Sequence, residues 1–186
     1  MIISPRRTLA ALLVAASLGL AGCAPGITAS DTFSETTLIT DQAKQSLSAR
    51  VASFDRDINR GSIGNAVNYL PPRMLAQLSD DTGVPVEFLR AAGGAMLDGM
   101  TREMTVRSRT DLSQALVGTT TTGRAYALIP GVAVITARGQ TLTQQGNTLA
   151  LTDDGQWYLI GLGDQDTLDD IRRAYPEFRG VNLPVR

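Results

Sequence analysis

The chain has 186 residues, of which 43% are apolar and 19% are charged, and its formal net charge is −1. This size and composition fit one globular domain. The chain contains no histidine and one cysteine, which excludes Ser-His-Asp and Cys-His catalysis, imidazole or thiolate metal sites and intramolecular disulfides. The charge balance also argues against a nucleic-acid binder, which usually carries a basic patch or stripe. An enzyme of this sequence would depend on Asp, Glu, Tyr, Arg, Lys44 or a hydroxyl group.

The first 22 residues have the pattern of an export signal. Arg6 and Arg7 form a positive segment, and Leu9 to Leu20 is an uncharged, mostly apolar stretch. It is shorter than the roughly 20 apolar residues of a spanning helix. We therefore expect residues 1–22 to be a signal peptide. Ser4-Pro5-Arg6-Arg7 partly resembles a twin-arginine signal, but Pro5 weakens that match and favours the general secretory route.

The signal ends in Leu20-Ala21-Gly22-Cys23, which resembles the bacterial lipobox. That resemblance implies that Cys23 is diacylated on its sulfur and becomes the mature N-terminus. Acyl chains, at about 0.8 kcal/mol per buried CH₂, would then hold the protein on a membrane. Ala24 rather than Asp follows the cysteine, which favours the outer membrane, facing the periplasm. The alternative is an ordinary buried or free cysteine.

Cleavage before Cys23 removes Arg6 and Arg7, so that 15 basic residues remain against 18 acidic ones and the mature net charge is −3. This balance provides no polybasic attraction to anionic lipid. The lipidated N-terminus and the polar stretch that follows, residues 23–37, are predicted to be a tether, which would span about 20 Å as a flexible coil. Residues 38–186 are predicted to form a single domain.

That domain is predicted to begin with helices. Apolar residues at steps of three and four predict the first helix; they are Ala43, Leu47, Val51, Phe54 and Ile58. Thr40 is placed to cap this helix and Gly61 to end it. The charged residues near its end are expected on a solvated face; they are Asp55, Arg56, Asp57 and Arg60.

Prolines and glycines divide the next segment. Ser62 can start a short helical piece, which ends before Pro71. Pro72 is expected to open a second helix that Gly83 ends, and Pro85 to open a third. The third helix contains Gly93-Gly94 and Gly99, each costing about 1 kcal/mol relative to alanine. We expect them to allow close packing against the first helix or the sheet, with space for a ligand as the alternative.

The pattern changes to strands after Arg102. Residues 104–109 alternate, and residues 123–136 form an apolar run in which Pro130-Gly131 makes either a hairpin or a bulge. Gly139-Gln140 and Asp153-Asp154-Gly155 predict turns before the last two strands, at 149–152 and 157–160. The fold class is therefore α+β, with three helices followed by a four-stranded antiparallel meander.

The tail is predicted to contain one short helix. Thr167 is placed to cap it, and its apolar face would consist of Leu168, Ile171 and Tyr175. Pro176 is expected to end the helix. The last segment, from Phe178, is expected to be extended and packed on the domain.

Several stretches resemble uncharacterised bacterial envelope proteins of the nuclear-transport-factor-type, cystatin-like superfamily. These stretches are Tyr69-Leu70-Pro71-Pro72-Arg73, Tyr126-Ala127-Leu128-Ile129-Pro130, residues 149–158 and Tyr175-Pro176-Glu177-Phe178. The resemblance covers about residues 38–184 and implies a cone of helices on a strongly bent sheet. It also implies that Pro130 forms a bulge in one long strand.

The superfamily includes ketosteroid isomerases and SnoaL-type polyketide cyclases, which implies a candidate pocket. Tyr69, Asp98, Tyr126 and Trp157 would line it, with Asp98 as general base and a tyrosine hydroxyl supporting an oxyanion. The alternative is that Asp98 points to solvent and that the aromatic side chains fill the core.

A phosphate-binding loop is rejected. Residues 118–125 have its glycine outline, but Arg124 replaces the lysine, Ala125 replaces the metal-binding hydroxyl, and a strand follows in place of a helix. No metal or cofactor is expected.

Fold alone does not assign a function. The leading hypothesis is a non-enzymatic envelope lipoprotein, held by acyl chains on Cys23, that binds a small apolar ligand or a partner protein. An acid-base isomerase or cyclase is the second hypothesis, and a structural adaptor with a filled core is the third.

Overall fold

The computed structural model describes residues 39–185. The predicted signal peptide, Cys23 and the predicted tether lie outside this range. The described chain forms, in order, α1 (Asp41–Asn59), a 3₁₀ helix (Ile63–Tyr69), α2 (Pro72–Thr82), α3 (Val86–Met100), β1 (Met104–Thr110), a 3₁₀ turn (Leu112–Gln114), β2 (Leu116–Thr119), β3 (Ala125–Ala137), β4 (Gln140–Asp153), β5 (Gln156–Leu162), α4 (Gln165–Ala174) and a last 3₁₀ helix (Pro176–Gly180). Within residues 39–185, no helix has the length and apolar character needed to span a membrane.

The first helices begin and end as predicted. Thr40 caps α1 by accepting a hydrogen bond from the Ala43 amide at 3.2 Å. Pro72 lies in the first turn of α2, and Gly83 ends that helix in the left-handed conformation, which glycine adopts without a steric penalty. Pro85 immediately precedes α3. Local capping chemistry therefore sets these boundaries.

The strands form one strongly curled antiparallel sheet. Its order is β1-β3-β4-β5, and β2 also pairs with β3. β1 pairs with residues 131–137 of β3 and β2 with residues 125–128, so both lie one after the other along the same edge. The predicted α+β class is confirmed, but the first strand of the meander is split by the 3₁₀ turn, which adds a fifth strand.

Pro130 lies inside β3, which runs unbroken through it, so the hairpin alternative is wrong. β3 pairs with β4 through Pro130↔Asn147 and Gly131↔Gly146 without an inserted residue. The expected bulge at Pro130 is therefore absent from the β3–β4 pairing. The Pro130 carbonyl accepts from the Asp111 amide at 2.8 Å. Because the N and O of a strand residue point to the same side, the nitrogen of Pro130 faces the gap between β1 and β2. No ladder hydrogen bond is lost there.

The half of the sheet that contains β5 is covered on both faces. Successive residues of β4 point to opposite faces, so Leu149 and Leu151 enter one core while Ala150 enters the other. The α4-side core contains Tyr126, Leu128, Leu149, Leu151, Tyr158, Ile160, Leu162, Leu168, Ile171, Tyr175, Phe178 and Leu183. The α1-side core contains Ile39, Leu47, Val51, Tyr69, Ala127, Ile129, Ala150, Trp157 and Leu159.

The tail differs from the prediction at two points. Asp164 caps α4 by accepting from the Thr167 amide at 2.8 Å, so Thr167 is the third residue of the helix and not its cap. Pro176 starts a 3₁₀ helix that includes Phe178, so the tail is not extended from that residue. The burial of Phe178 and Leu183 confirms that the tail packs on the domain.

Candidate functional site

The structure does not bring the four candidate pocket residues together. Tyr69 and Trp157 lie in the α1-side core, whereas Tyr126 lies in the α4-side core on the opposite face of the sheet. Asp98 is exposed on α3. The expected shared pocket is therefore not formed.

Asp98 joins α3 to the first 3₁₀ helix. Its Oδ1 accepts a hydrogen bond from the Gly64 amide at 2.6 Å. Close packing accompanies this bond, because a Cβ at Gly94 would lie 3.1 Å from the Gly64 carbonyl oxygen. The predicted packing role is thus confirmed for Gly94, although its partner is the 3₁₀ helix and not α1 or the sheet. Asp98 does not lie in the apolar cavity that a ketosteroid-isomerase-type base requires.

The three aromatic candidates fill the cores. Burial, reinforced by the hydrogen bond that its hydroxyl donates to Asp57 at 2.9 Å, raises the pKa of Tyr69 to about 12. The Trp157 indole nitrogen donates to the Ala43 carbonyl at 3.1 Å. Burial also raises the pKa of Tyr126, whose ring meets that of Phe178 at 5.5 Å. These contacts are those of packed core side chains, and the polar tips of Tyr69 and Trp157 are hydrogen-bonded.

An open groove lies on the α1 face of the sheet, beside the covered half. Cross-strand partners project from the same face, and Thr110, Gly131 and Gly146 are aligned in this way across β1, β3 and β4. Gly161, which pairs with Thr148, and Gly163 continue the row. We call this surface the glycine groove. Its volume is about 230 Å³, and its lining is Ser108, Thr110, Gly131, Val132, Ala133, Gln144, Gln145, Gly146, Asn147, Thr148, Gly161, Leu162 and Gly163.

Packing does not require most of these glycines. A Cβ at Gly146, Gly161 or Gly163 would have no heavy atom within 4 Å, whereas one at Gly131 would lie 3.1 Å from the Arg109 carbonyl oxygen. None of the four has a positive φ, so backbone conformation does not require glycine either. Where neither close packing nor a positive φ requires glycine, a glycine in a strand often marks the close approach of a ligand or another backbone.

Asp55 holds the β1 wall of the groove. Its carboxylate accepts from the Ser108 hydroxyl at 3.0 Å and from the Thr110 hydroxyl at 2.5 Å. It also accepts from the Thr110 amide at 3.2 Å. The Asn59 side chain accepts from the Ser108 amide and donates to the Ser108 carbonyl. These bonds occupy the free edge of β1. The expectation that Asp55 lies on a solvated face is therefore wrong, because the helix end docks on a strand edge that the sequence pattern did not reveal.

The groove offers neutral hydrogen-bonding chemistry. Its lining contains hydroxyl and amide side chains and no charged or aromatic ones. Because the hydroxyls of Ser108 and Thr110 donate to Asp55, they can only accept hydrogen bonds from a molecule in the groove. The sequence showed glycines in the strand regions, but their alignment becomes visible only with the strand register.

A buried ionic cluster lies at the other end of the sheet, outside the groove. Arg124 bonds Asp153 at 3.0 Å and Glu177 at 2.7 Å, and the Tyr175 hydroxyl donates to Asp153 at 2.8 Å. Arg124 also donates to the Thr152 carbonyl. The cluster joins β3, β4 and the tail through groups already bonded to one another. Its geometry indicates a structural role.

Metal chemistry finds no support in the described part of the chain. Residues 39–185 contain no group of three His, Cys, Asp or Glu side chains placed to hold a metal ion.

Two other depressions lie outside the glycine groove. One of about 400 Å³ lies on the opposite face of the sheet, with Arg109 and Asp111 at its margin. The other, also of about 400 Å³, is lined by Asp169, Arg172, Arg173 and Arg179.

Comparisons with known proteins give little further information. No model of a known protein family matches the chain, and no curated protein matches it. Among solved structures, Aln2 from a Streptomyces species is similar, with 12% sequence identity and a TM-score of 0.42 over 66% of this chain and 89% of that chain. This likeness is too distant to carry an argument about function.

Proposed function

We propose that the chain is a non-enzymatic envelope lipoprotein, anchored through acyl chains on Cys23, whose domain binds an uncharged polar ligand in the glycine groove. The anchor is supported by the sequence alone: a positive segment, an apolar stretch of signal length and the lipobox-like Leu20-Ala21-Gly22-Cys23. The binding role is supported by the groove.

The row of glycines, three within strands and Gly163 just after β5, carries the binding proposal. Three of its four positions have open space where a side chain would lie, and valine or threonine would favour the strand more than glycine does. A purely structural adaptor gains nothing from glycine at these positions. A binding surface does, because an uncovered backbone lets a ligand approach closely.

The lining favours a ligand with N–H or O–H donors and no net charge. Ser108 and Thr110 act as acceptors only, whereas the Gln144 amide, which lies on the same face as Gly146, can both donate and accept. At about 230 Å³, the groove is smaller than the roughly 300–1,000 Å³ of sites for drug-sized ligands. It suits one sugar ring or one to two residues of an extended peptide.

The residues proposed for an isomerase or cyclase are not arranged as that alternative requires. Asp98 is exposed and holds Gly64, and Tyr126 lies on the other face of the sheet. Three α-helices and a 3₁₀ helix, followed by a strongly curled antiparallel sheet, are the architecture expected of the cystatin-like cone. We infer a distant relation to that superfamily in architecture and not in catalysis.

Filling the groove tests the binding role. Gly146→Val adds a strand-favouring side chain without a clash, so thermal stability is expected to stay equal or rise. Two neutral probes, the N-acetylglucosamine trimer and N-acetyl-trialanine amide, are titrated into the mature domain while amide NMR shifts are followed. At least one is expected to shift groove residues in the wild type and to bind at least roughly tenfold more weakly to Gly146→Val.

Gly99→Ala is the matched control, since it also fills open space at a glycine but lies on α3. It is expected to bind the probes like the wild type. Binding of octanol in the groove in place of both neutral probes would overturn the polar-ligand class. Unchanged affinity in Gly146→Val would remove the groove from the function.

The anchor is tested separately with Cys23→Ser in the full chain. The wild type is expected to incorporate labelled fatty acid and to fractionate with membranes, because two or more acyl chains give stable attachment. The variant is expected to lose the label and to retain its signal peptide. Continued acyl labelling of the variant would show that Cys23 is not the lipid site.

A further inference from the structure

One side of α3 exposes apolar residues from its first turn to its last. Phe88 is 60% exposed, and Met96 and Met100 are each 66% exposed. At 3.6 residues per turn, the exposed Ala91, Ala95 and Gly99 fall on the same side. We call this surface the outer face of α3; it consists of Phe88, Ala91, Ala95, Met96, Gly99 and Met100.

The charged residues of α3 are also exposed, and helical spacing places Asp98 and Glu87 beside Ala91, at one edge of the outer face. Both Asp98 and Gly94 contact Gly64. A surface helix ordinarily turns its apolar side toward the core and its charges toward solvent. α3 departs from this pattern, because it exposes large apolar side chains as well as its charged residues, while Gly94 on its inner side is already packed.

The area of the outer face argues against a second copy of the chain as its occupant. A 15-residue helix is about 22 Å long, so one side of it offers roughly 200–300 Å². Stable protein interfaces bury about 800 Å² on each partner. The outer face alone therefore falls short of what a stable dimer needs.

The segment that joins Cys23 to the domain makes the lipid bilayer a better candidate for contact with the outer face of α3. If Cys23 is lipidated, the 15 residues between it and Ile39 keep the start of the domain within at most about 55 Å of the bilayer. Such tethering turns a contact too weak for free protein into an intramolecular one at high effective concentration. Phe and Met side chains on a helix are suited to shallow insertion between headgroups.

We propose that the outer face of α3 docks on the lipid bilayer to which the chain is tethered, inserting Phe88, Met96 and Met100 and so orienting the domain on the membrane. This rests on the lipid anchor of the proposed function. Since the mature net charge is −3, the contact is apolar and does not depend on anionic lipid.

The test supplies the anchor chemically. Both cores are built from residues between Ile39 and Leu183, so a chain that starts at Cys23 contains the complete folded domain. Its single cysteine is coupled to maleimide-headgroup lipid in phosphatidylcholine vesicles, and oxidation of each methionine by hydrogen peroxide is followed by mass spectrometry. Docking is expected to slow oxidation of Met96 and Met100 by roughly threefold or more, because oxidation follows exposure.

The comparison sample is the same chain capped with N-ethylmaleimide and mixed with plain vesicles. Leu142→Met provides a matched methionine outside the outer face, since Leu142 is 61% exposed and lies on β4. Its oxidation is expected to be unaffected by coupling. The double variant Phe88→Gln/Met96→Gln is expected to remove the protection of Met100.

Three results would overturn docking: no protection after coupling, equal protection of the methionine introduced by Leu142→Met, or protection that rises with protein concentration without vesicles. The last would identify a second copy as the occupant. Because coupling does not depend on cellular acylation, these outcomes are separate from a failure of the Cys23→Ser labelling experiment.

Discussion

At the scale of single residues, Asp153 joins parts of the chain that are distant in sequence. Its side chain is 4% exposed and lies 3.0 Å from Arg124 and 3.5 Å from Arg73. Burial opposes its ionisation, but the hydrogen bonds from Tyr175 and Arg124 outweigh burial and lower its pKa. For Glu177, burial is likewise outweighed by the bond from Arg124, which lowers its pKa.

These shifts predict a loss of stability in acid. The ordinary pKa values of Asp153 and Glu177 are 3.8 and 4.5, and a carboxyl group with a depressed folded pKa stabilises fully only above its ordinary value. That stabilisation is lost as pH falls through the folded pKa. Asp153→Asn is expected to lower the free energy of unfolding at pH 7 by about 3 kcal/mol and to flatten its decline below about pH 4.5.

Urea unfolding at pH 7, 5 and 3 measures both effects. Asp154→Asn is the matched control, because Asp154 is exposed in the adjacent turn with a φ of 47°, which asparagine also tolerates. This control is expected to keep the wild-type stability and acid slope. An unchanged acid slope in Asp153→Asn would show that the cluster does not control acid sensitivity.

At the scale of elements, the contact between α3 and the first 3₁₀ helix predicts opposite effects at two glycines. A Cβ at Gly64 would lie 2.3 Å from the Gly94 carbonyl oxygen, whereas one at Gly99 would have no heavy atom within 4 Å. Gly64→Ala is expected to cost about 1–3 kcal/mol through overpacking. Gly99→Ala is expected to gain up to about 1 kcal/mol through helix propensity. Thermal unfolding of the two variants measures the difference, and equal effects would contradict the close packing.

The elements also show what the sequence could and could not reveal. Thr40, Pro72 and Gly83 set helix ends through contacts within a few residues, so their roles were predictable. The sequence pattern predicts the α4 cap three residues late, at Thr167, because Asp164 and Thr167 are both capping residues and local pattern does not choose between them. The fifth strand and the role of Asp55 depend on where distant strands pair. The same holds for the groove, whose glycines come from β3, β4, β5 and the segment after β5.

At the scale of the whole molecule, the two cores share one sheet. Alternate residues of β4 enter opposite cores, so neither core can lose its packing without disturbing the strand that supports the other. Trp157 is the single tryptophan of the chain and belongs to the α1-side core. Its fluorescence therefore reports on one core, while far-ultraviolet circular dichroism reports on the whole domain.

This arrangement predicts a single cooperative unfolding transition, even when only the α4-side core is weakened. Ile171 is fully buried in that core, and Ile171→Ala is expected to cost about 2–5 kcal/mol. If the cores unfold together, the Trp157 signal and the circular dichroism signal shift to the same lower urea midpoint, as two-state behaviour requires. Leu142→Ala, at a side chain 61% exposed, is expected to change the midpoint little. A circular dichroism transition that precedes the Trp157 transition in Ile171→Ala would show that α4 and its core unfold separately, and that the shared sheet does not couple the two cores.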